Sequence, residues 1–144
     1  MRSNPEKSPH PEGEIVSRTM AMPSDANPYG DIFGGWLMSQ MDLGGAVLAR
    51  NIARCRVVTV SAETMNFVSP VAVGDVVTCY ARVLSIGRTS LKIDLDAWVQ
   101  CFKTGQSRRV TEGAFTYVAI DDQGHPQPVH RPEENAADST SSAT

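Results

Sequence analysis

Asp42 is the residue with the most chemistry to offer. It stands within 31–50, DIFGGWLMSQMDLGGAVLAR, where nearly all its neighbours are apolar or glycine. On a helix, residues three, four and seven positions away share its face, here Gly35, Met38, Ser39, Gly45 and Ala46. A carboxylate so placed is costly unless paired or solvated. Two readings stay open: a structural acid bonded to backbone or to a neighbouring strand, or a general base reached across small residues by something narrow and extended. Gly34 and Gly35 open the same segment. In a first helical turn their N–H groups have no intrahelical acceptor and carry the positive end of the helix dipole. Glycine there admits a ligand carbonyl, as an oxyanion hole requires; it equally serves a tight entry into the helix. Asp31, just ahead, fits an N-cap better than a catalytic acid.

Spacing limits how these groups can cooperate. Gly35 and Asp42 are seven residues apart, roughly 10 Å along a helix axis, whereas catalytic contacts need about 3 Å. One carbonyl cannot touch both on one helix. If both act, the glycines of one copy must meet the acid of another. That predicts an antiparallel helix pair and a homo-oligomer with two sites at a C2 dimer interface.

The rest of the composition removes other chemistries. All three histidines, His10, His125 and His130, fall in the expected tails, so a Ser-His-Asp or Cys-His site lacks an ordered base. No His/Cys spacing suits zinc, and no phosphate-cradling glycine motif is present. A net charge of −3 argues against a nucleic-acid partner, and no apolar run is long enough for a membrane span. Cys55, Cys79 and Cys101 are odd in number and lack CxxC spacing. They read as free thiols in a reducing compartment, and with no export pattern the expectation is the cytoplasm.

The elements that must position these groups follow in order. Residues 1–12 and 124–144 are proline-rich or small and polar, and are expected as disordered arms around one domain at 13–123. Residues 15–22 are strand-like, and PSDANPYG at 23–30 is turn chemistry. A helix of about 17 residues follows, apolar all round and so expected to be enclosed. Four strands come next: 56–67; 76–86; 91–99, with Lys92, Asp94, Asp96 and Trp98 pointing outward; and 110–120. One helix among strands with short links implies an α+β domain, a five-stranded antiparallel sheet curled around the helix. Gly44 and Gly45 lower helix propensity by roughly 1 kcal/mol each and suit a place where another backbone comes close.

The runs NPYGDIFGGWLMSQMDLGGAVLA, RVVTVSAETMNFVSPVAVGDVV and GRTSLKI together resemble YciA-type acyl-CoA thioesterases, of the acyl-CoA thioester hydrolase family with the hotdog fold. The resemblance extends from about Arg18 to Val118. It implies hydrolysis of acyl-CoA thioesters to CoA and free acid without a metal or organic cofactor. It assigns Asp42 as general base or nucleophile and Gly34-Gly35 as the polarising helix end. It puts Asp31 where related members carry a catalytic Asn from the opposite helix. It also implies contacts to CoA from Gly87, Arg88, Thr89 and Ser90 in the turn and from Asn66 of the MNF element, with Arg88 on a phosphate. Family members commonly assemble as trimers of dimers. A non-catalytic acyl-CoA or acyl-carrier binding protein on the same fold is the alternative. A hotdog dehydratase ranks below both, because it would need a helix histidine.

Overall fold

Glycine and proline chemistry up to Gly30 gives way at Gly34 to helix formers spaced for one buried face. The computed structural model describes residues 7–130. In it, α1 spans Gly34–Ala53 and buries Leu37, Met41, Gly44, Gly45, Leu48, Ala49 and Ala53. This helix is three residues longer than the sequence suggests; it ends where Arg54 turns left-handed at φ 62° and its N–H returns to Arg50 O. It is also not enclosed all round. Gly35, Ser39, Leu43, Val47 and Arg50 form an exposed stripe, with Leu43 63% and Val47 42% exposed. One sheet can cover only one side of a helix.

The strands are β1 Glu14–Met20, β2 Arg56–Phe67, β3 Val76–Ile86, β4 Ser90–Gln100 and β5 Ser107–Ile120. They form one sheet in the order β1-β3-β4-β5-β2, antiparallel at every step. β1 and β2 are therefore its edges. The inner face supplies Val77, Cys79, Ala81, Leu91, Ile93, Leu95, Ala97, Phe115 and Tyr117 to the core against α1. Alternation places these residues because a strand turns every second side chain to one side. The helix glycines meet side chains rather than backbone: a methyl at Gly44 would overlap Val16, and one at Gly45 would overlap Leu95 and the Tyr117 hydroxyl.

The outer face departs from expectation. Asp94, Asp96 and Trp98 do point away from the helix, yet all three are buried. The N-terminal arm covers them, so its residues 7–12 are not loose. Lys7 Nζ donates to Asp94 Oδ1 and to Asp96 Oδ1, each at 2.6 Å, and lies 3.6 Å from Glu112. Arg109 donates to Ser8 O at 2.7 Å and stacks 4.6 Å over the Trp98 ring. Burial alone would lower the Lys7 pKa; the hydrogen bonds and charges of Asp94 and Asp96 outweigh it and hold the ammonium above the ordinary lysine range. At the other end, Gln127 N–H donates to Ala119 O, Val129 N–H donates to Arg88 O, and Val129 is buried. The folded unit thus extends past both expected boundaries, 13 and 123. Of the arms expected at 1–12 and 124–144, residues 1–6 and 131–144 lie outside the described residues. Among those described, no helix is long and apolar enough to cross a membrane.

Candidate active site

Asp42 lies mid-helix, half-buried, facing β2 and β5. Thr59 and Tyr117 are register partners on those strands, and both reach it. Thr59 Oγ1 donates to Asp42 Oδ1 at 2.6 Å. The Tyr117 hydroxyl lies 3.2 Å from the same oxygen and 3.0 Å from Asp42 O. A carboxylate only accepts, so both hydroxyls are donors here. No described residue hydrogen-bonds Oδ2. Burial, then the Asp42 charge, then the hydrogen bond to it push the Tyr117 hydroxyl above the ordinary tyrosine range. It therefore stays protonated and keeps donating. The arrangement can hold a carboxylate by one oxygen with neutral groups and leave its charge available to a proton or an electrophile.

Neither hydroxyl was singled out from the sequence. One signal was there: Thr59 and Tyr117 put polar groups on the inward row of their strands, among Val57, Phe115 and Ala119. Which inward polar group meets which helix residue is a long-range fact.

At the helix start, the N–H groups of Gly34 and Gly35 find no acceptor among the described residues, while those of Trp36 and Leu37 turn back to Phe33 O. A methyl at Gly35 would meet nothing within 4 Å, whereas one at Gly34 would press on the Phe67 ring. Packing within the chain thus does not require glycine at 35. A cleft of about 390 Å³ opens beside this end, lined by Asp31, Gly34, Leu37, Phe67 and Val71 among others. Asp31 is not the N-cap. Phe33 holds that position without a side-chain cap. Asp31 instead closes a loop: its N–H donates to Asn27 Oδ1, its carbonyl accepts from Asn27 N–H, and it bridges to Ala72.

Gly87, Arg88 and Thr89 turn between β3 and β4, and Ser90 opens β4. The backbone there is clamped: Gly87 N–H donates to Ser90 O, Thr89 O accepts from Ala119 and Arg88 O from Val129, each at 2.8 Å. The Arg88 side chain is exposed. Asn66 does not join the turn. It pairs with Glu112 on the outer face while Ser90 pairs with Val118, six residues or roughly 20 Å along β5. There it lines a groove with Lys7, Arg82 and Lys92. Within one chain the structure therefore assembles Asp42, Thr59 and Tyr117, and keeps the helix end and Asn66 apart from them.

The family model described as "Thioesterase superfamily" matches residues 29–100. The acyl-CoA thioester hydrolase YciA of Salmonella typhimurium is 57% identical over 122 residues, 83% of this chain and 92% of the relative. A solved hexameric broad-specificity acyl-coenzyme A thioesterase is 46% identical, with a TM-score of 0.81 over 94% of this chain and 93% of its own. The acyl-CoA hydrolase of Staphylococcus aureus, solved with butyryl coenzyme A and coenzyme A, is 28% identical, with a TM-score of 0.75 over 80% of this chain and 70% of its own. Alanine variants of that enzyme at an aspartate, a threonine and an asparagine have also been solved. The fold is that of a hotdog thioesterase. Within that superfamily, the chain belongs to the YciA-type acyl-CoA thioester hydrolases.

Proposed function

We propose that the protein hydrolyses acyl-CoA thioesters to CoA and free carboxylic acid. The observation that carries this is an acid on the central helix of a YciA-type chain, held on Oδ1 by Thr59 and Tyr117 with Oδ2 left open. As general base, Asp42 takes a proton from water as the water oxygen adds to the thioester carbonyl; the C–S bond then breaks, and the proton held on Asp42 passes to the departing thiolate, giving CoA thiol, free acid and the Asp42 carboxylate again. As nucleophile, an Asp42 oxygen adds to the carbonyl and expels CoA thiolate; water then cleaves the mixed anhydride to free acid and the Asp42 carboxylate, and the proton released goes to the thiolate. The two free N–H groups at Gly34 and Gly35 supply donors for the developing oxyanion. Neither route needs a metal or organic cofactor.

In the Staphylococcus enzyme the asparagine lies 15 residues before the aspartate and the threonine 17 after it. Asn27, Asp42 and Thr59 repeat both separations. This supports Asn27, rather than Asp31, as the asparagine contributed to the site, with Asp31 bracing its loop. The helix end and the acid cooperate across two copies. The exposed Leu43 and Val47 and the open edge of β2, where Val58 is 41% and Val60 55% exposed, are the surfaces a second copy would cover. A homo-oligomer follows, with the sites at dimer interfaces and, by analogy with the hexameric relative, a trimer of dimers. Arg88 and the 87–90 turn take the CoA phosphates; Asn66 joins them only if a neighbouring copy brings it there. Cys55, Cys79 and Cys101 are unpaired, which suits the cytoplasm.

Thiol release from a panel of acyl-CoA chain lengths, run beside light scattering, tests the proposal. Hydrolysis by an oligomer is expected. CoA binding without thiol release would leave only a binding protein, and a monomer that hydrolyses at full rate would refute the shared site.

A further inference from the structure

Tyr117 is more than core filling. Its side chain is fully buried on β5, where a phenylalanine would satisfy packing alone, and its ring lies 6.4 Å from that of Phe115. A buried tyrosine hydroxyl must find a partner, and both acceptors of this one belong to Asp42: the main-chain oxygen at 3.0 Å and Oδ1 at 3.2 Å. One proton shared between them makes a three-centre bond that ties the carboxylate to its own backbone. The helix accommodates this contact at Gly45, where any Cβ would overlap the hydroxyl, although glycine is disfavoured against alanine inside a helix. The second donor on Oδ1 is less secure. Thr59 lies on the edge strand β2, at the surface a second copy would cover, and adjoins a register shift between Thr59 and Ser61. Tyr117, buried on an interior strand, is the rigid anchor of the pair.

We propose that Tyr117 is a positioning residue for the hydrolysis, fixing the Asp42 carboxylate through Oδ1 so that Oδ2 faces the attacking water or the carbonyl carbon. This rests on the thioesterase reading above. Loss of the hydroxyl frees the carboxylate to rotate, and small misplacements of a reacting group lower rate steeply. An interaction that acts on geometry in the transition state changes kcat more than KM.

The test is steady-state thiol release by wild type, Tyr117→Phe, Thr59→Val, their double variant and Gly45→Ala, with melting temperatures measured on the same oligomers. Tyr117→Phe is expected to lose roughly tenfold or more in kcat, with KM for acyl-CoA within about twofold and melting close to wild type. The double variant is expected to lose less than the product of the single losses, because both hydroxyls serve one oxygen. Gly45→Ala, which displaces the hydroxyl from the helix side, is expected to lower kcat as well. A Tyr117→Phe protein that melts earlier but keeps wild-type kcat, or one that changes KM alone, overturns the role. If wild type itself releases no thiol, the thioesterase reading falls and takes this role with it; if wild type hydrolyses and Tyr117→Phe is unimpaired, only this role falls.

Discussion

On the inner side of the sheet, Asp42 faces two neutral hydroxyls; on the outer side, Asp94 and Asp96 face cations. The outer acids are buried and closely paired, by Lys7 at 2.6 Å and by Arg82 and Arg109 at 3.6 Å. Their charges are paired where they sit and serve to hold the N-terminal arm against the sheet. Asp42 is half-buried and has hydrogen-bond donors but no cation among its described partners. Its geometry is fixed while its charge remains usable. The difference separates a carboxylate that holds a fold together from one that can act, a distinction that counting acidic residues does not make.

The comparison can be broken or sharpened by substitution. The largest effect is expected from Asp42→Asn. The amide oxygen can still accept from Thr59 and Tyr117, so fold and oligomer should persist, yet the base is gone; thiol release should drop by about 10²-fold or more. Wild-type turnover by this variant would place Asp42 with the structural acids. Gly35→Ala comes next. A methyl there touches nothing in the chain, so melting should hold or rise, while a carbonyl approaching the helix end is obstructed; kcat/KM should fall by about tenfold, less than the loss of a whole oxyanion donor. Unchanged kinetics would mean that the Gly-Gly pair serves helix entry only. Lys7→Ala should act in the opposite sense, lowering stability by about 1.5–3 kcal/mol, the range for hydrogen bonds to charged groups, as read by denaturant titration. Turnover well below the melting transition should stay at the wild-type level, and a loss of kcat would show that the two faces are coupled.

Much of the frame is legible in the sequence. β2 and β3 have the bounds that Val/Thr enrichment and alternation predict, 56–67 and 76–86, because a long strand with one apolar face repeats its signal many times. The helix start was legible from Gly34-Gly35. Its end was not: the stop at Arg54 is a left-handed residue with no glycine to announce it. Asp31 misled for a related reason. An aspartate ahead of a helix fits the cap pattern, but the helix begins at Gly34 with Phe33 as its N-cap, and Asp31 is held two residues earlier in the Asn27 loop.

What the sequence by itself determined about this protein is the order of elements, the acid at 42 within a mostly apolar stretch of helix, and the glycine pair two turns before it. Local pattern suffices for these, since each rests on residues within one or two turns or on strict alternation. Only the tertiary structure decided which carboxylates are neutralised and which is merely held. Lys7 meets Asp94 across 87 residues and Tyr117 meets Asp42 across 75. A pairing over that separation leaves no periodic trace in the chain; it exists only once the sheet has set both partners in register.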